Sequence, residues 1–385
     1  MRCNFAVTLL FAATPFLPAQ EKIPRGYTIP LIDLAEQKHR QIIVDREKGQ
    51  YLGHPSTFLF EDGKTMLIVY PKGHGKGAIV MKRSTDAGLT WSERLPTPAN
   101  WATSQETPTL YRTISPPSPP GRGVGGEGAG HNHLVIFSGI YPIRMAHSPD
   151  DGKSWSDLRA IGAFGGTVAM ASVIRLKNGD YMALFHTGAY GLDGKKREPR
   201  EYRVYKTLSK DGGLTWGKPS VIAEKPGAWL CEPGLVRSPD GKQIAVLLRE
   251  SSRKLNSHVI FSDDEGETWT KPRELPGALT GDRHTARYTK DGRLFISFRD
   301  MALDSKTKGD WVAWVGTYDD IVKSREGQYR VRLMKNHKGY DCAYPPVEVL
   351  SDDTIVTTTY GHWTPDEMPY IVSVRLKLEE LDRMK

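Results

Sequence analysis

The sequence predicts an all-β protein, a six-bladed β-propeller, and three observations predict it. An S-x-D-x-G-x-T/S-W motif recurs four times, Asp-Gly-type turns alternate with it, and strand-like apolar runs flank both. The copies run Ser84–Trp91, Ser148–Trp155, Ser209–Trp216 and Ser262–Trp269, so successive starts lie 64, 61 and 53 residues apart. Self-similarity at such a period is the mark of a repeat architecture.

Each motif has its own local logic. An Asp carboxylate accepts hydrogen bonds from nearby backbone N–H groups, glycine supplies positive φ, and Trp buries a large ring beneath the turn. Runs such as Ala78–Met81 and His258–Phe261 precede the copies, which places each box in a hairpin. The boxes are therefore read as structural fasteners. Further hairpin turns fall at Asp62-Gly63, Asn178-Gly179, Asp240-Gly241, Asp291-Gly292 and Asp352-Asp353.

Together the two repeats give a four-stranded unit. Six units begin near His54, Glu106, Val168, Glu232, His284 and Tyr344. The last two lack a good box, and Gly316–Asp319 reads as a decayed copy. The strand Gln41–Val44 is expected to close the ring on Tyr370–Arg375. Radial repetition of short sheets limits exposed strand edges. A β-sandwich leaves the spacing unexplained.

Composition supports the same reading. The 385 residues include 38 Gly and 26 Pro, which suits many tight turns. Arg2, the apolar Phe5–Phe16 run and Ala19 read as a signal peptide over residues 1–19, leaving one propeller domain at 20–385 in a secreted or periplasmic protein. No other apolar run is long enough to span a membrane. The Pro/Gly-rich stretch within 114–132 is read as a loop insertion in the second unit. The net charge of +8 comes without Lys/Arg runs or nucleic-acid motifs, so the expected partner is an oligo- or polysaccharide, acidic in character. No metal-ligand spacing and no cofactor motif is present. Cys231 and Cys342 are expected as two free buried thiols, with one bridge as the alternative.

These motifs resemble the sialidase superfamily over residues 45–378. The best local match is the fourth unit: Cys231-Glu232-Pro-Gly-Leu-Val, the Asp240-Gly241 turn, Val246-Leu-Leu-Arg249, then the box. The resemblance implies a Glu232 that polarises a nucleophilic tyrosine, with Tyr344 of Cys342-Ala-Tyr344-Pro-Pro in the nucleophile's place. It also implies that Arg249 belongs to a clamp on a substrate carboxylate, joined by Arg299 or by Arg283. The chemistry agrees, because a phenol needs an adjacent base and a guanidinium fork suits a carboxylate.

Two expected parts are missing. The family begins its first unit with Arg-Ile-Pro, where this chain has Gly53-His54-Pro55. The family's acid/base Asp has no counterpart in Tyr70–Gly77, which holds His74 instead. The departures point to a branch similar to propeller α-L-rhamnosidases or rhamnose–glucuronate lyases, in which a histidine does the catalysis. His54 is then the catalytic candidate, since histidine changes charge near neutrality. Its structural alternative is packing under the first sheet. His74, Glu106 and His284 join Arg249, Arg283 and Arg299 as candidate substrate-binding residues, the alternatives being a surface loop or buried ion pairs between blades. The sequence thus reads as an exo-glycosidase removing a terminal sugar. A lyase and a non-catalytic carbohydrate-binding propeller are the alternatives.

Overall fold

Six antiparallel sheets radiate from a common axis in a computed structural model that describes residues 23–115 and 131–385. The signal-peptide expectation and most of the loop insertion lie outside the described residues. The flanks of the insertion are joined, because Ser115 N–H donates to the His131 carbonyl at 2.9 Å.

The inner strands are Ser56–Leu59, Thr109–Ile114, Thr167–Arg175, Leu230–Arg237, Gly281–Tyr288 and Val347–Val349. Each contacts the next, and the last contacts the first, so the ring is closed. Closure uses the expected strand: Gln41–Asp45 pairs antiparallel with Tyr370–Leu376 and becomes the outer strand of the sixth blade. A further strand, Leu31–Asp33, adds in parallel to the edge of the fifth blade against Tyr329–Met334, a pairing too short to be legible in sequence. Among the described residues no helix is long and apolar enough to cross a membrane.

The apolar core lies between the blades. Ala245, Leu247 and Val259 of the fourth pack on Leu294, Ile296 and Phe298 of the fifth, all without solvent exposure. The middle strands are buried on both faces and so read as continuous apolar runs, Met66–Pro71 and Ile244–Leu248 among them.

The boxes hold this packing in place. In the third, Asp211 Oδ1 accepts from Ser209 Oγ at 2.8 Å and from the N–H groups of Leu214 and Thr215 at 3.1 and 2.9 Å. Trp216 Nε1 donates to the Gly213 carbonyl at 3.0 Å. Gly213 has φ 85°, and a Cβ there would lie 2.8 Å from Thr113 of the preceding blade, so glycine serves both the turn and the close approach.

The segment read as a decayed fifth box is instead a short helix, Tyr318–Val322, with a capping box between Thr317 and Asp320. Tyr318 Oη bonds Gln243 of the fourth blade at 2.9 Å. The sixth blade ends likewise in the helix Leu378–Asp382, where Asp382 receives both Nη groups of Arg293 from the fifth blade at 2.9 Å. A pinned helix thus replaces the box in both blades.

If the box carboxylate is the fastener, Asp211→Ala should lower unfolding stability by about 1–3 kcal/mol, the usual range for stranding hydrogen-bond partners. Urea denaturation measures this, and an unchanged midpoint would sink the reading.

Candidate active site

The inner strands begin at the funnel end, and most carry a non-glycine residue at positive φ near that point. These are His54 (48°), Val168 (47°), Glu232 (49°), Arg283 (57°) and Ala343 (57°). In the fourth blade the register shifts between Cys231 and Gly234; in the fifth it shifts between Asp282 and Thr285. Such bulges re-aim side chains, and each strained residue costs on the order of 1–3 kcal/mol. Glu232 and Arg283 therefore occupy equivalent positions. Across each strand pair, Cys231 faces Arg249 and Asp282 faces Arg299.

Glu232, Arg249 and Tyr344 meet at the funnel floor. The Tyr344 hydroxyl donates to Glu232 Oε1, and Arg249 Nη1 lies 2.5 Å from that oxygen and 3.3 Å from Tyr344 Oη. Burial pushes the Glu232 carboxyl up, but Arg249 and the tyrosine hydrogen bond outweigh it, so the group stays ionised. Burial and the adjacent carboxylate hold the Tyr344 phenol well above its ordinary range. The phenol is protonated and its acceptor is charged.

Beneath them lies a buried charge knot. Asp282 has no solvent exposure and receives Arg253 Nη1 and Nη2 at 2.6 and 2.8 Å. Arg299 reaches it through Nε at 2.9 Å and Nη2 at 2.5 Å, and Arg249 Nε lies 3.1 Å away. Burial opposes ionisation here too, yet the three guanidinium groups hold Asp282 far below the usual carboxylate range. The last amino group of Arg299 is spent on the Tyr340 and Cys342 carbonyls, at 2.5 and 3.1 Å. Cys231 and Cys342 flank the knot as free buried thiols.

His54 stands at the centre, its ring 4.6 Å from that of Tyr344, 4.7 Å from His74 and 4.4 Å from Tyr360. Gly75 N–H donates to its Nδ1 at 3.1 Å, so Nε2 carries the proton toward Tyr360 Oη, 3.1 Å away. Burial keeps the imidazole neutral, its pKa well below the ordinary value.

His74 lies on the rim with its side chain largely exposed. Its Nδ1 is 2.7 Å from Tyr51 Oη and 3.3 Å from Asp341 Oδ1, and Tyr51 also donates to Asp341 at 2.7 Å. Glu106 sits beside this loop. Its Oε1 accepts from Thr107 N–H and Oγ1 at 2.9 and 3.0 Å, while desolvation pushes the carboxyl up against those two bonds.

The other candidates are placed differently. Arg283 lines a cavity of about 270 Å³ that runs down the axis past Tyr111, Thr285 and Glu348, and among the described residues no carboxylate pairs with it. His284 turns its Nε2 to the Leu279 carbonyl at 2.8 Å and packs on Phe298, within the wall. Sequence reasoning missed Tyr51, Arg253, Asp341 and Tyr360. Tyr51 and Asp341 each precede a funnel residue by three positions, His54 and Tyr344 respectively, which was the one signal available.

The fold and funnel define a six-bladed propeller of the sialidase type. The chain belongs to the BNR repeat-like domain family, whose model matches residues 33–253. Among solved structures it is similar to a protein of unknown function from Dyadobacter fermentans, at 16% identity and TM-score 0.68, covering 88% of this chain and 98% of that one. The NanB sialidase from Streptococcus pneumoniae matches at 13% identity and TM-score 0.60, covering 88% and 70%. A leech intramolecular trans-sialidase matches at 14% and 0.59, covering 87% and 69%. At these identities the likeness is one of fold. No curated protein matches the chain in sequence.

Burial also sets a pH response. His186, His258 and His284 are held down to about 4 by desolvation, against about 6.5 in an unfolded chain. Between those values the unfolded state binds more protons, so stability is full above about pH 6.5 and falls as pH drops toward 4. Urea midpoints should decline over that window, and His258→Gln should shallow the decline. An identical slope in the variant would refute this account.

Proposed function

We propose that this protein is an exported exo-glycosidase that removes a terminal sugar from an acidic glycan, with Tyr344 as nucleophile and Glu232 as its base. One observation carries the reading: a buried tyrosine hydroxyl donates to an ionised carboxylate while Arg249 touches both. Phenol is a poor nucleophile unless a neighbouring base takes its proton. Here Tyr344 Oη bonds the anomeric carbon as the glycosidic C–O bond breaks, and Glu232 accepts the phenolic proton. Water then displaces the tyrosine and releases the sugar, its proton passing to the group that protonated the leaving oxygen while Glu232 returns the phenolic proton to Tyr344.

The departing oxygen needs a proton, and we assign its donor to Glu106. Thr107 occupies Oε1 twice, which leaves Oε2 to hold the proton that desolvation favours. His54 then orients the Tyr344 ring, while Arg283 and the exposed His74 meet the substrate. The apolar run Phe5–Phe16 behind Arg2 supports export, and the basic surplus supports an acidic glycan.

The central place of His54 supports a second reading, cleavage by a histidine as in a rhamnosidase or lyase. Against it, the Nδ1 lone pair is already taken by Gly75.

Sugar release from sialyllactose and from rhamnose-capped arabinogalactan tests these readings together. Tyr344→Phe and Glu232→Gln should each lower kcat by about 10²–10⁴-fold. Full activity in Tyr344→Phe with loss in His54→Asn would transfer the chemistry to the histidine. Binding without release of any sugar would favour a carbohydrate-binding propeller. Glu106→Gln should slow glycan cleavage more than cleavage of aryl glycosides with good leaving groups; equal slowing would remove Glu106 as proton donor.

A further inference from the structure

Three arginines at the funnel floor, Arg249, Arg253 and Arg299, are already occupied, while Arg283 stands apart from them on the axial cavity. Arg253 presents both amino groups to Asp282, and Arg299 presents its Nε/Nη2 edge to the same carboxylate. The other amino group of Arg299 is committed to two backbone carbonyls. Arg249 gives Nη1 to Glu232 and Tyr344 and Nη2 to Ser251 at 3.3 Å. A guanidinium fork recognises a carboxylate through two parallel N–H groups. At this floor the forks of Arg253 and Arg299 are spent on the protein's own acid.

The repeat shows where that acid comes from. Asp282 holds the strand position that Cys231 holds in the fourth blade, each facing the arginine across the sheet. The fourth blade leaves the position neutral, and the fifth fills it with a carboxylate that has no solvent exposure. A substrate carboxylate would have to displace Asp282, leaving a buried anion without its partners, and stranding a buried charge is strongly unfavourable.

We infer that Asp282 is a specificity-determining residue, an internal counter-ion standing where a substrate carboxylate would bind, and that the terminal sugar seated over Tyr344 is therefore uncharged. The acidic groups of the glycan lie beyond the cleaved bond. This rests on the glycosidase reading for its substrate, but the occupancy of the arginines is independent of turnover.

Calorimetric titration of the full-length protein provides the test. The probes are N-acetylneuraminate, its 2-deoxy-2,3-dehydro analogue, glucuronate, and a panel of neutral monosaccharides. The expected result is no saturable binding of the three carboxylated probes at millimolar concentration. Asp282→Asn frees the forks and should bring the dehydro analogue into saturable binding, a gain of about tenfold or more. Where Asn does not fold, Asp282→Cys copies the fourth blade and serves in its place.

Saturable binding of any carboxylated probe to the unmodified protein would overturn the inference. So would a folded Asp282 variant that gains no carboxylate binding. Release of free sialate from sialyllactose would overturn it while leaving the glycosidase reading intact. Failure of every substrate alongside the expected titrations would do the reverse.

Discussion

The buried knot around Asp282 is the interaction on which the rest of the funnel depends. It draws Arg249 and Arg253 from the fourth blade and Arg299 from the fifth, and Arg299 in turn grips two carbonyls leading into the sixth. Three guanidinium groups against one carboxylate leave an excess of positive charge, and Glu232 answers part of it through Arg249. Removing one partner would leave the others under-compensated in a buried setting, where a stranded charge is costly. The knot therefore holds the position of the fourth blade's acid relative to the sixth blade's tyrosine.

Backbone strain works alongside this electrostatics. Side chains on a regular inner strand would alternate between the neighbouring blades. The bulges at Glu232 and Arg283 break the alternation and turn those side chains toward the axis. The box and its glycine carry the compensating stability at the far end of each of the first four blades, locking the hairpin onto its predecessor. The last two blades reach the same end by pinning a short helix, so the chemistry of the fastener varies while its place is kept.

Much of this was legible in the residues. The boxes and Asp-Gly turns are local, since each motif bonds to itself within a few positions, and so blade number, boundaries and ring closure could be read. The pairing of Glu232 with Tyr344 was legible only through resemblance, because 112 residues separate them. The fifth-blade helix escaped notice because Thr317 and Asp319 repeat the Ser-x-Asp spacing of a box, while Thr317 and Asp320 in fact cap a helix. Arg299 was read as facing a ligand, a reasonable inference from its match to Arg249. What faces it is Asp282, and which of several acids will neutralise an arginine is decided by burial.

By itself, then, the sequence determined the propeller, its six units and the residues at the entrance to each, since repeating local chemistry is enough to specify repeating local structure. Only the tertiary structure decided which of those residues are free to act. Arg253 and Arg299 are committed to Asp282, His54 has both nitrogens engaged, and the Tyr344 phenol donates its hydrogen bond to the Glu232 carboxylate. The physical reason is desolvation. Its cost depends on everything packed around a group, and that surrounding is drawn from blades far apart in the chain.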